Sequence, residues 1–223
     1  MPHSGTRRDS RTGINCRKFW HRASYKGKHV SIGIEVQHSA QRAVEILDRA
    51  FHDDPVMNWM SSHPEFRRTF FSITLPGFLQ DGLTYVEEQG RGAAAWLGPQ
   101  RKLDWPVTAS NLWQMYKVCG IRGFIRFGLS GFTTAKFHPG EPHYYLFLLG
   151  TLPESKGQGI GSGLMAHVLR KCDDENLPAY LENSKRENLA FYQGHGFEVV
   201  DRIQFARSAP PVWLMWREPR PGS

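Results

Sequence analysis

Residues 155–164 read SKGQGIGSGL. An apolar run, YYLFLLG at 144–150, precedes them, and a run with helical spacing, LMAHVLRKC at 164–172, follows. Four glycines in seven positions are costly, because glycine loses the most conformational freedom on folding. A strand, a glycine-rich turn and a helix make an anion site. The first amides of a helix have no intrahelical acceptor, and the helix dipole adds positive potential there. The stretch therefore reads as a phosphate or pyrophosphate cradle; the plain alternative is a tight strand-to-helix turn.

Two phosphate motifs fail on spacing. A P-loop needs Gly-x4-Gly-Lys followed by Ser or Thr, and Lys156 precedes the glycines instead. A dinucleotide fingerprint needs Gly-x-Gly-x-x-Gly. Gly157 and Gly159 are followed by Ser162, and Gly159 and Gly161 by Leu164, so neither register completes.

Around the loop, helices and strands alternate. Ala43, Val44, Leu47, Ala50 and Phe51 fall on one helical face, with Ser39 as the expected cap. A second helix is expected over 65–79, a strand pair over 82–87 and 92–97, and helix broken by glycines over the aromatic-rich 104–137. Strands follow at 143–150, 179–182, 197–200 and 212–216, with a short helix over 187–195 ending at Gly196. The βαβ unit at 145–182 implies a parallel pair within a mixed α/β domain.

Lys156-x-x-Gly159-x-Gly161, after an apolar strand and Leu152-Pro153-Glu154, resembles the pyrophosphate loop of the GNAT acetyltransferase family, although that pattern begins with Arg or Gln. The stretch YLENSKRENLAFYQGHGFEVV at 180–200 is similar to the strand and helix that follow in that family, through Leu181-Glu182, Asn188, Phe191-Tyr192 and His195-Gly196-Phe197. GAAAWLGP and PPVWLMWREP also look like strands of its small-molecule branch. The resemblance spans roughly residues 36–218.

It implies a central, mostly antiparallel twisted sheet with one splayed parallel strand pair, flanked by helices. It implies acetyl-CoA as co-substrate, with no metal. Leu149, Gly150, Thr151, Asn183 and Asn188 would flank the pantetheine arm. Lys156, Gly157, Gln158, Gly159, Ile160, Gly161 and Ser162 would face the pyrophosphate. An amide near Leu149 would serve the oxyanion, and Tyr192 would be the general acid, also touching the cofactor. Glu182 is the candidate base, its plain alternative being a carboxylate that structures the Asn183-Ser184 turn. His143 and Glu141 are weaker candidates, and Phe191 and Phe197 read as core. Asp53, Asp54, Trp59, Trp105, Trp113 and Tyr116 are candidates for an acidic-aromatic pocket that takes a cationic amine.

The chain has 223 residues and a net charge of +7. The excess lies within the first 30 residues, which hold eight Lys/Arg and one acid; the rest balances at 20 of each sign. Residues 1–34 are expected to be a basic, disordered tail, a presequence or sequence upstream of a true start. Residues 35–223 are expected to form one domain. With its basic excess in the tail, the folded domain carries no argument for nucleic-acid binding. No run reaches the roughly 20 apolar residues of a membrane span. Three widely spaced cysteines suggest a reducing, cytoplasmic setting. The expected activity is acetyl transfer to a primary amine of a small molecule, by a monomer or homodimer. The alternatives are a catalytically silent acyl-CoA-binding domain, and a protein or ribosome acetyltransferase that docks through the tail.

Overall fold

The computed structural model describes residues 5–6, 17–25, 28–37, 39–80, 83–101 and 107–220, with side chains from Ile32 onward. In chain order the elements are β1 (Gly5–Thr6), β2 (Arg17–Tyr25), β3 (Lys28–Val36), α1 (Gln41–Ala50), α2 (Pro55–Met60), α3 (Phe66–Thr74), β4 (Thr84–Glu87), β5 (Gly92–Leu97), α4 (Ala109–Phe137), β6 (Tyr144–Thr151), α5 (Ile160–Asp174), β7 (Ala179–Asn183), α6 (Leu189–Gly194), β8 (Glu198–Gln204) and β9 (Pro211–Arg217). Among the described residues the strands form one sheet in the order β1-β2-β3-β4-β5-β6-β7-β9-β8. Neighbours run antiparallel except β6 and β7, which are parallel. The expected mixed fold with one parallel pair is what the chain forms.

Two cores lie on the two sides of the sheet. One holds α1 and α3, through residues such as Leu47, Phe66 and Phe71. The other holds α5, which buries Leu164, Met165, Val168 and Cys172 against Ile34, Trp96 and Leu146. Each large apolar side chain removed from water in this way stabilises the fold by about 1.5–3 kcal/mol.

Several expectations need correction. The boundary at 34/35 falls inside β3: Ile32 and Ile34 are buried, and β3 pairs with both β2 and β4. The sheet therefore begins before residue 35, and the segment up to Ile34 is not wholly a tail. α1 starts after Ala40, with Ser39 Oγ 3.5 Å from the Gln41 amide, too long for a firm cap. The 65–79 helix becomes 3₁₀ at Leu75–Phe78, where Pro76 supplies no amide to an α-helical ladder. α5 begins four residues before Leu164, because its first turn is built from the glycine stretch itself. α4 is broken at Gly120, where φ is 59°.

The strand pair that matters is β6–β7. Pairing runs only over Tyr144–Ala179, Tyr145–Tyr180 and Leu146–Leu181, although both strands continue. Beyond Leu146 they part. On the other edge of β6, Trp96 pairs with Leu146 and Ala95 with Leu148, which leaves Phe147 as an extra residue. Such a bulge bends its strand and resets which face each side chain takes. Accordingly Tyr145, Phe147 and Leu148 all pack on the α1/α3 side, while Leu146 and Leu149 pack on the α5 side.

Candidate active site

The opening between β6 and β7 is a cavity of about 280 Å³. One wall is Leu149, Gly150 and Thr151 of β6; the opposite wall is Leu181, Glu182 and Asn183 of β7. Its floor is the glycine loop and the start of α5, with Lys156, Gly157, Gly159, Ile160, Gly161 and Ser162 all lining it. Asn188 and Tyr192 close the side. Of the expected cofactor residues only Gln158 stands apart. Its side chain accepts from Arg91 at 3.2 Å and donates to the Glu154 carbonyl at 3.3 Å.

The loop geometry explains the glycines separately. Gly157 and Gly159 both have φ of 80°, a conformation that L side chains rarely adopt, and Gly159 is the residue that opens α5. Gly163 lies outside the cavity lining; a Cβ there would stand 2.5 Å from Ile32 Cδ1, so it serves helix-to-sheet packing. A Cβ at Gly157 would meet nothing within 4 Å, so the loop borders open space. The first-turn amides of α5 have no intrahelical acceptors. Lys156 and Lys185 line the same cavity. An opening between strands, unpartnered amides and two ammonium groups suit an extended molecule that ends in a diphosphate, as coenzyme A does.

Glu182 stands at the inner end. Its carboxylate accepts from Tyr180 Oη at 3.2 Å, Thr134 Oγ1 at 3.4 Å and Tyr145 Oη at 3.5 Å. Burial nevertheless dominates and pushes its pKa up to about 7. The turn after β7 is organised by Asn183 instead. Asn183 donates to the Lys185 carbonyl at 2.7 Å and accepts from the Lys185 amide at 3.1 Å. Tyr192 is buried, and desolvation raises its pKa far above the phenol value, so its hydroxyl keeps its proton.

Asp54 is the carboxylate whose reach the sequence understated. It caps α2 through the Met57 amide at 2.9 Å, accepts from Ser184 Oγ, and is pushed up in pKa by burial. The Asp54-Pro55 pair is a helix-start signal that predicts α2. Asp53 instead pairs with Lys185 at the surface.

A second cavity, of about 110 Å³, lies on the α1/α3 side. Phe51, Asp54, Phe147, Glu182 and Ser184 line both cavities, so the two meet at these five residues. Nothing in the sequence signalled Tyr145, Tyr180 and Thr134 as the hydroxyls around Glu182, since they come from three separate elements.

The remaining candidates fall elsewhere. His143 is buried outside both cavities, with Nδ1 2.6 Å from the Glu141 carbonyl, and burial lowers its pKa. Glu141 is exposed. Trp113 and Tyr116 stack on each other at the surface. Trp59 packs on Phe205 and carries Arg126 over its ring. Trp105 lies outside the described residues, as does Gly82 of the expected strand. Phe197 is core, whereas Phe191 lines the first cavity. Among the described residues no group of three His, Cys, Asp or Glu side chains is placed to hold a metal. Nor does any described helix have the length and apolarity to cross a membrane.

A sheet opened at its parallel pair, with a glycine-bounded helix start below and a caged carboxylate at the inner end, defines an acyltransferase. The model of the acetyltransferase (GNAT) family matches residues 89–197. The match spans just under half of the chain, and the acyl donor of that family is acetyl-CoA. An uncharacterized N-acetyltransferase of Schizosaccharomyces pombe is 27% identical over 204 residues, covering 83% of this chain and 82% of that protein. Among solved structures, a histone acetyltransferase HPA2 and related acetyltransferase from Corynebacterium glutamicum superposes with a TM-score of 0.64 at 22% identity, covering 87% of this chain and all of that one. A mosquito arylalkylamine N-acetyltransferase like 5b gives 0.54 at 12% identity, with 84% and 100% covered. At these identities the two structures speak for the fold alone.

Proposed function

We propose that the protein transfers the acetyl group of acetyl-CoA to a primary amine of a small molecule, with Glu182 as general base and Tyr192 as general acid. The observation that carries this reading is the meeting of two cavities at Glu182. One suits the acyl donor and the other an acceptor. Acetyl-CoA supplies an activated acyl group as a thioester.

The chain's residues supply the proton transfers. An alkylammonium has a pKa of about 10.4 in water and must lose a proton before it can attack. Glu182 is ionised for a substantial part of the time near neutral pH and accepts that proton. Three hydroxyls hold the carboxylate in place. Tyr192 stays protonated and donates to the leaving sulfur as the carbon–sulfur bond breaks and the carbon–nitrogen bond forms. The newly bonded nitrogen gives its second proton to the tyrosinate left at Tyr192, and Glu182 returns the first to solvent, which restores both groups. Lys156, Lys185 and the first amides of α5 hold the diphosphate end. Gly150, Thr151, Asn183 and Asn188 flank the arm between the strands.

Thiol release from acetyl-CoA with a panel of amines tests the reading. Tyr192→Phe and Glu182→Gln should each lower kcat by about 100-fold or more, with the KM for acetyl-CoA within about twofold of wild type. Undiminished turnover removes the altered residue from its role. Calorimetric binding of acetyl-CoA with no turnover of any amine marks a silent binding domain. Turnover that needs a protein acceptor and residues 1–34 marks a protein modifier.

A further inference from the structure

The acceptor cavity is more selective than "a small amine". Its walls come from α2 (Val56, Met57, Met60), α3 (Phe70), α4 (Phe127) and the β8–β9 edge (Phe205, Val212). Polar groups are few: the carboxylates of Asp54 and Glu182, and the hydroxyls of Ser130, Thr134, Tyr145 and Ser184. Among the described residues the carboxylates are the wall's charged groups, and no Lys, Arg or His lines it. Several of these groups are already engaged with one another. Thr134 and Tyr145 donate to Glu182, Ser184 donates to Asp54, and Ser130 donates to the Phe127 carbonyl.

These facts discriminate between amine classes. One ammonium is welcomed beside Asp54 and Glu182. A second or third, as in a polyamine or aminoglycoside, would rest against Met, Phe and Val with no counter-charge, and burying an unpaired charge is costly. A carboxylate, as in an amino acid, would face two acids and no base. A peptide amino terminus brings amide groups that this wall cannot pair, and unpaired buried amides are costly too. The space between these apolar walls is about 110 Å³, which suits a compact body.

We propose that the acceptor is a monoamine on a compact apolar body, an aliphatic or aromatic group of roughly six to eight carbons, without a carboxylate or a second cation. This rests on the acetyltransferase reading above.

The test compares kcat/KM for hexylamine, 2-phenylethylamine, spermidine, phenylalanine, an aminoglycoside and a tripeptide with a free amino terminus, all with the full chain and acetyl-CoA. The two monoamines should lead each of the others by at least tenfold. Val212→Phe, which fills the cavity, should shift the optimum of an n-alkylamine series to shorter chains, and Met57→Ala should shift it to longer ones. If spermidine, the aminoglycoside, phenylalanine or the tripeptide leads, the inference is overturned and the acetyltransferase reading stands. If both variants leave the chain-length optimum where it was, the second cavity is not the acceptor site, and the inference again falls alone. If no amine releases thiol although acetyl-CoA binds, the acetyltransferase reading falls and takes the inference with it.

Discussion

Tyr180→Phe removes one hydroxyl from Glu182 and leaves the ring in place, since Tyr180 is packed against Tyr145, His143, His138 and Trp216. The lost bond is 3.2 Å, and the Tyr145 and Thr134 bonds remain. A hydrogen bond to a charged group contributes about 1.5–3 kcal/mol, and this long one belongs near or below the low end. At 1.36 kcal/mol per pH unit, the loss raises the Glu182 pKa by about one unit from its value near 7. The sign follows from the donor: the hydroxyl favours the carboxylate, so without it the proton is held to higher pH. The form of Glu182 that accepts a proton is therefore lost earlier as pH falls. The assay is kcat at saturating amine from pH 6 to 9, taken as the ratio of variant to wild type so that titration of the amine itself cancels. The ratio should be close to one at pH 9 and fall to about 0.1 at pH 6.

Neighbouring groups do not mimic this signal. His138 is held down to about 4 and His143 is lowered, both chiefly by burial; Tyr145 and Tyr180 are raised by burial and by Glu182. Asp53 is lowered by Lys185 against its own desolvation, so it is ionised across the range. Asp54 is the remaining raised carboxyl, and Asp54→Asn should leave the inflection in place. A flat ratio across the range, or an inflection moved to lower pH, refutes the assignment of Glu182 as base.

Three further outcomes are expected. Glu182→Gln should stabilise the fold at pH 8 relative to pH 5. The unfolded carboxyl ionises near 4.5 and the folded one near 7, so wild-type stability falls as pH rises between them, by up to about 3 kcal/mol; thermal melts at the two pH values check this. Arg217→Ala should cost about 3–5 kcal/mol in urea unfolding, because the guanidinium is buried and makes two bonds to Asp173, at 2.7 and 2.8 Å. Gly159→Ala should raise the KM for acetyl-CoA and destabilise by about 1–2 kcal/mol, since its φ of 80° is unfavourable for alanine; steady-state kinetics and melts read both.

Much of this was legible along the chain because it is local. The strand, loop and helix of 144–174 carry their own periodicities, and Gly196 stands at a φ of 90° where the end of α6 was read. The loop and its helix start, which border the first cavity, are contiguous in sequence, so spacing exposed them. What stayed hidden depends on separated elements. The environment of Glu182 is built from α4, β6 and β7, and no window of sequence contains all three. The bulge at Phe147 is set by the register against β5, which a run of apolar residues does not reveal. β3 was missed because lysine, histidine and serine open it and obscure its apolar end at Ile32 and Ile34.

The extra residue at Phe147 makes this segment tolerant of changed side chains but intolerant of changed length. Deleting Phe147 would restore simple alternation with Leu148 and Leu149 still on their present faces and β5 partners, but the strand would lose the bend that goes with its bulge, next to the point where it parts from β7. Among homologous chains, gaps in an alignment should avoid these few positions even where the residue types drift.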